Sequence, residues 1–208
     1  MSARAAVLAS GTGSNLQALL DDPAVGPHIA VVVSDSADAG ALDRARLAGV
    51  GAELVDRTGY AFRAEFDAAL LERLRGAGVD TLLLAGFMRI LDAAVVRAFP
   101  NRILNVHPSL LPAFPGAHAV PEALAWGAKV TGSTIHLVDE EVDHGPIVLQ
   151  EAVPILEDDD EASLHARIKE VEHRLFPQAA RLLLEDRLVV EGRSVRVLSA
   201  PVGHEVAR

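Results

Sequence analysis

The sequence predicts an α/β fold: a mostly parallel central sheet with helices on both faces and an antiparallel C-terminal portion. Three observations lead there. Half of the 208 residues are apolar, enough for one sizeable core. Up to Trp126, short apolar runs alternate with amphipathic stretches, the pattern of successive βαβ units. Beyond it, two apolar runs flank an acidic turn, as two neighbouring antiparallel strands would.

Taken in order, the first strand is Ala5–Ala9, an unbroken small-apolar run ending in glycines, with a helix near Leu16–Asp21. His28–Val33 is the second strand, followed by a helix over Ala41–Ala48. Glu53–Val55 and a longer helix over Ala61–Arg75 form the third pair. Thr81–Ala85 and the helix Ala93–Phe99 form the fourth. Ile103–Val106 is the fifth strand, and Glu122–Trp126 a short helix after a proline-rich stretch. Thr134–Val138 and Ile147–Val153 are the strands around the acidic turn, and Ala162–Leu184 is a long helix. The tail, Leu188–Leu198, alternates around Glu191-Gly192 as a hairpin would. This arrangement is Rossmann-like. No Pro/Gly/Ser linker interrupts it, so 1–208 is expected to be one domain.

Composition excludes several classes. The formal charge is −10, and Lys129 and Lys169 are the only lysines, so phosphate neutralisation along a nucleic acid is not expected. There is no cysteine, hence no disulfide framework and no thiolate chemistry. The opening MSARAAVLAS holds too short an apolar run for a signal peptide, and nothing later approaches a membrane span. A cytoplasmic protein without a membrane or nucleic-acid partner is the expectation.

Three stretches carry chemistry. Ser10-Gly-Thr-Gly-Ser-Asn15 joins the first strand to its helix. It lacks the third glycine of a dinucleotide fingerprint, having Leu16 there, and lacks the GK[ST] of a Walker loop. Two readings stay open: a tight turn with Ser14 or Asn15 as helix cap, or a phosphomonoester cradle at a helix N-terminus whose first turn is free of acid. In Asn105-Val-His107-Pro108, the amide and imidazole lie two residues apart, so they share one face of the strand. Pro108 ends the pairing and leaves both at the carboxyl end of a parallel strand, where open α/β sheets bind ligands. Such a pair suits attack on a carbonyl-like carbon, one group facing the oxyanion and the other handling a proton. Finally, Asp139-Glu-Glu-Val-Asp143 precedes a His-Gly-Pro turn. A carboxylate from it beside His107 would orient the imidazole and raise its pKa; spacing alone does not choose Asp143 over Asp139. The histidines are scattered, with no HExxH, so no metal is expected.

These residues resemble the phosphoribosylglycinamide formyltransferases, the folate-dependent transformylases of purine synthesis. The resemblance rests on Asn105-x-His107-Pro-Ser-Leu-Leu-Pro, Gly-Ser-Asn-Leu at 13–16, Ala85-Gly-Phe-Met-Arg-Ile-Leu91 and Asp143-x-Gly-Pro-Ile147, in order over roughly residues 5–185. It implies a catalytic triad of Asn105, His107 and Asp143, and a phosphate loop of Gly13, Ser14 and Asn15. Lys169, Glu170, Val171 and Glu172 match the segment beside the ribonucleotide. Met88, Arg89, Ile90 and Leu91 match the folate wall, Asp139, Glu140, Glu141, Val142 and Asp143 the loop closing it, and Arg63 a position near the folate's glutamate end. The halves would be a phosphate-binding part over about 1–100 and a folate-binding, catalytic part over about 101–185, with a tail at 186–208. One departure stands out: Pro115-Gly-Ala-His-Ala-Val120 keeps His118 but has Val120 where many members have a second histidine.

The implied reaction moves the formyl group of 10-formyltetrahydrofolate to the amine of 5′-phosphoribosylglycinamide, without a metal or a covalent enzyme intermediate. Asn105 and protonated His107 would stabilise the tetrahedral oxyanion, with Asp143 holding the imidazolium. The partners would be these small molecules, the protein a monomer or homodimer. Methionyl-tRNA formyltransferase would need a further basic C-terminal domain, and formyltetrahydrofolate hydrolase an N-terminal regulatory one, so neither is the expected member.

Overall fold

A computed structural model describes residues 3–199. Along the chain, β1 (Ala5–Leu8), α1 (Ser14–Asp21), β2 (Ile29–Ser34), α2 (Gly40–Leu47), β3 (Gly51–Leu54), α3 (Arg63–Gly76), β4 (Thr81–Leu84), α4 (Ala93–Ala98) and β5 (Ile103–His107) alternate as βαβ units. There follow α5 (Ala119–Trp126), β6 (Val130–Leu137), β7 (Ile147–Pro154), α6 (Glu161–Leu184) and the strands β8 (Leu188–Glu191) and β9 (Ser194–Val197). Among the described residues, seven strands form one sheet in the order β3-β2-β1-β4-β5-β6-β7, and β8 and β9 form a separate pair. β1 to β5 pair in parallel, whereas β6 is antiparallel to both β5 and β7. The mostly parallel sheet with an antiparallel C-terminal portion is therefore present. The expected hairpin over Leu188–Leu198 is formed by β8 and β9, and residues 200–208 of the tail lie outside the described residues.

Alternation of side chains along β1 builds the two faces. Ala5 and Val7 enter a core with α1, α2 and α6, including Leu16, Leu19, Ala45, Phe176 and Leu183. Ala6 and Leu8 enter the opposite core with α3 and α4, including Phe66, Leu70, Leu74 and Val95. Every residue of β1 is buried, which is why this strand reads as an unbroken apolar run. The long α6 begins at an N-cap, Asp160, whose carboxylate accepts from Ser163 N–H at 2.8 Å. Among the described residues no helix is long and apolar enough to cross a membrane.

The boundaries shift where local signals mislead. β6 begins at Val130, not Thr134, because Gly132 is not a breaker. A Cβ there would collide with the Glu151 carbonyl of β7 and with Leu110, so the strand needs glycine to pair closely. α5 begins at Ala119, with Pro121 in its first turn, where a missing N–H leaves no bond unmade. α3 begins at Arg63 rather than Ala61, since Phe62 is extended (φ −124°, ψ 146°) and the Glu65 side chain reaches back to its N–H. β3 lies slightly earlier than expected, at Gly51–Leu54.

Candidate active site

The strand order reverses between β1 and β4, and the residues following these two strands open a crevice of about 610 Å³ at their carboxyl ends. The glycine turn lies on one side. Gly13 is the N-cap of α1 at φ 77°, and a Cβ on it would lie 2.8 Å from Cα of Ala41 in α2. Glycine is thus required both by the left-handed backbone and by close packing. The helix start has no side-chain cap and no acid in its first turn, so Ser14 and Asn15 do not serve as the cap. Asn15 reaches across instead: its Nδ2 donates to Glu172 Oε2 at 2.8 Å, both side chains being buried. Burial pushes the Glu172 carboxyl above its usual range, against Asn15 and Lys169, which favour its charged form. Asn15 Oδ1 is buried without a partner.

The centre of the crevice is set by β5. Asn105 and His107 share a face, and the turn 108–116 wraps around the imidazole. His107 Nε2 lies 2.8 Å from the Phe114 carbonyl, which can only accept, so Nε2 carries the proton. Nδ1 then faces Asp143 Oδ2 at 3.4 Å. Asp143, in the left-handed region at φ 49°, accepts from Gly116 N–H at 2.7 Å and from Asn105 Nδ2 at 3.4 Å. Spacing left Asp139 and Asp143 as alternatives; the fold brings Asp143 to the imidazole, while Asp139 turns to His144 at 2.7 Å.

Electrostatics here differ from expectation. Burial lowers the His107 pKa and outweighs Asp143 and the Phe114 carbonyl, which raise it; nearby His136 lowers it further. The sequence reading had Asp143 raising the value. Its contribution has that sign, but the net direction is downward because the ring is only 4 % exposed. The resting imidazole is therefore biased towards neutrality, with an Nδ1 lone pair facing a carboxylate. For Asp143, burial raises the pKa, but His136, the Gly116 N–H and His107 together hold it below the usual range.

Beside the glycine turn, Met88 and Ile90 are exposed along the crevice, and Leu91 is buried. Arg89 stacks its guanidinium 4.4 Å above the Phe66 ring. Met88 N–H donates to Ser10 Oγ at 2.9 Å, tying this wall to the glycine turn. Asp139, Glu140, Glu141 and Val142 complete the rim.

Not every expected residue faces the opening. Lys169 and Glu172 line it, whereas Glu170 is exposed elsewhere and Val171 packs into the core, as the helical period requires. Arg63 braces the wall from behind, its Nη2 donating to Ile90 O at 2.6 Å. His118 is exposed at the N-cap of α5 and does not line the crevice, although Ala117 beside it does. Two lining histidines were assigned no role from the sequence. His165 is one and four positions from Lys169 on α6, so the helical spacing would have found it. His136 pairs with Asn105 across β5 and β6, its Nε2 accepting from Asn105 Nδ2 at 3.1 Å while Nδ1 donates to Leu137 O. Only the strand register reveals it.

Fold and site together define an α/β protein with a crevice at a topological switch point, lined by a helix N-terminus and an apolar wall. Residues 3–180 match the model of the family described as formyl transferase, and the chain belongs to that family. It is 46% identical over 194 residues to the phosphoribosylglycinamide formyltransferase of Mycobacterium tuberculosis, covering 92% of this chain and 90% of that protein. It is 47% identical to the trifunctional purine biosynthetic protein adenosine-3 of Drosophila melanogaster, over 90% of this chain but 14% of that much longer protein. The solved structure of glycinamide ribonucleotide transformylase 1 from Symbiobacterium toebii superposes with a TM-score of 0.91 at 55% identity, covering 94% of each chain.

Proposed function

We propose that this chain transfers the formyl group of 10-formyltetrahydrofolate to the amine of 5′-phosphoribosylglycinamide, a step of de novo purine synthesis. The observation that carries it is one continuous crevice. It is lined together by an uncapped helix N-terminus, the buried Asn15–Glu172 pair, the Met88–Leu91 wall and the group Asn105, His107 and Asp143. The α1 N–H groups suit a phosphate, Asn15 Oδ1 and Glu172 suit sugar hydroxyls, and the exposed Met88 and Ile90 suit a flat heteroaromatic ring. The names of the Mycobacterium tuberculosis and Symbiobacterium toebii relatives support the acceptor and the formyl transfer.

The amine attacks the formyl carbon, a C–N bond forms, and the carbonyl oxygen gains negative charge. Both contacts to Asp143, from His107 Nδ1 and Asn105 Nδ2, are 3.4 Å, longer than ordinary hydrogen bonds, so neither holds its nitrogen tightly to the carboxylate and both can share a contact with that oxygen. The oxyanion favours uptake of a solvent proton by His107, which converts its Nδ1 lone pair into a donor; the proton is returned as the carbonyl re-forms. As the folate C–N bond breaks, the amine's proton passes by Asp143 or a bridging water to the departing nitrogen. The discriminating experiment follows deformylation of 10-formyltetrahydrofolate with and without 5′-phosphoribosylglycinamide. Turnover only with the acceptor is expected; equal turnover without it would make the chain a hydrolase.

A further inference from the structure

The acidic loop that carries Asp143 is gripped from outside by the C-terminal hairpin. β8 and β9 stand apart from the main sheet, and the turn between them places Arg193 against the loop's far end. Arg193 Nη2 donates to the His144 carbonyl at 2.6 Å, and Nη1 lies 2.9 Å from His144 Nε2. His144 Nδ1 lies 2.7 Å from Asp139 Oδ2, and Asp139 Oδ1 accepts from Glu141 N–H at 3.0 Å. A guanidinium only donates, so His144 Nε2 must accept, which puts the ring's proton on Nδ1, aimed at Asp139. The three side chains form a directional relay joining residue 139 to residue 144, the two ends of the segment on which Asp143 stands. Asp143 gains from such support, because φ 49° is a left-handed conformation that aspartate tolerates better than most residues but that its contacts help to hold. The next contact along is rigid too, since Gly145 sits where a Cβ would collide with the Leu137 carbonyl. On the other side, Glu140 pairs with Arg97 at 3.4 Å, both being well exposed.

We propose that Arg193 and His144 are positioning residues for the reaction: the tail hairpin braces the loop so that Asp143 stays beside His107. This rests on the catalytic reading of Asp143 given above. Partly exposed contacts of this kind add little to global stability, so their effect should appear in the geometry of the site rather than in unfolding. In the full chain, Arg193→Ala and His144→Ala are expected to lower kcat about threefold to tenfold, the size of one hydrogen-bonded contact. The KM for the ribonucleotide should stay within about twofold, because its end of the crevice is untouched. The NMR titration of His107 should move down in both variants, as the carboxylate that favours its cation is loosened. His144→Gln should retain activity, its amide accepting from Arg193 and donating to Asp139. The double alanine variant should lose no more than either single one, since both break the same relay.

Additive losses, an impaired His144→Gln, or unchanged kcat and His107 titration in Arg193→Ala would overturn the brace, as would a lowered Tm with kcat intact. Asp143→Asn, measured in parallel, separates the two readings. If it is inactive while Arg193→Ala is normal, only the brace fails; a fully active Asp143→Asn would overturn both.

Discussion

At His107 two opposed influences meet, a burial that expels charge and a carboxylate that invites it. Because Asp143 favours the imidazolium, Asp143→Asn should lower the His107 titration further, and the acid limb of the pH–rate profile should follow it. Glu140→Gln should leave both unmoved, since that side chain is half exposed and already engaged by Arg97. Asn105→Ala should reduce kcat by about 10²–10³-fold and His107→Ala by about 10²–10⁴-fold with the fold intact, as circular dichroism would report. Burial of neutral His107 also links folding to pH. Its folded pKa lies below the unfolded value of about 6.5, so the unfolded chain binds more protons there and stability falls as pH drops below it. Glu172 is the reverse case, a buried carboxyl with a raised pKa that weakens the fold at neutral pH. Glu172→Gln should raise Tm by roughly 2–4 °C, about 1 kcal/mol for a chain of this size, and weaken ribonucleotide binding. Asn105 and His107 were legible because the two-residue spacing alone fixes their shared face. His136 was not, because its place beside Asn105 depends on a pairing with a strand 31 residues away.

The turn between β1 and α1 shows how one element divides labour between its glycines. A Cβ on Gly11 would meet nothing within 4 Å, and its residue lines the crevice. Gly11→Ala should therefore fold normally and raise the ribonucleotide KM, leaving the folate KM unchanged, as paired saturation kinetics would show. Gly13→Ala should instead lower Tm by about 4 °C or more, since a left-handed alanine costs about 1–2 kcal/mol before its clash with Ala41 is counted. A substitution at Gly13 consequently tests packing more than phosphate binding. The glycine pattern was readable, but its meaning was not: a cap by Ser14 or Asn15 is a local device, whereas the fold engages Asn15 with Glu172, 157 residues on. Gly132 misled for the same reason, since it answers to β7 rather than to its own neighbours.

Across the molecule, the alternation of apolar runs and helices announced parallel strands, and an acidic turn announced the antiparallel pair. The strand order was beyond local signals, because the pairing of β1 with both β2 and β4 is settled only when the whole sheet closes. That order places β1 at the reversal point and gathers residues from both halves into one crevice. A single cooperative transition is therefore expected by calorimetry, with equal calorimetric and van't Hoff enthalpies. Two separable transitions would instead divide the chain near residue 100. A fragment of residues 1–126 should not fold alone, because the apolar side of α1 would have lost Phe176, Ala180 and Leu183 of α6.

The packing of α6 onto α1 also says something about how the protein is made. Within this chain β1 and α1 are synthesised well before α6, the helix that packs onto them. Until α6 is made, α1 and α2 cover that face only in part, and its remaining apolar side chains stay open to other nascent chains. The native state becomes reachable only after α6 clears the exit tunnel, so yield in the cell should depend on whatever shields the chain during that interval.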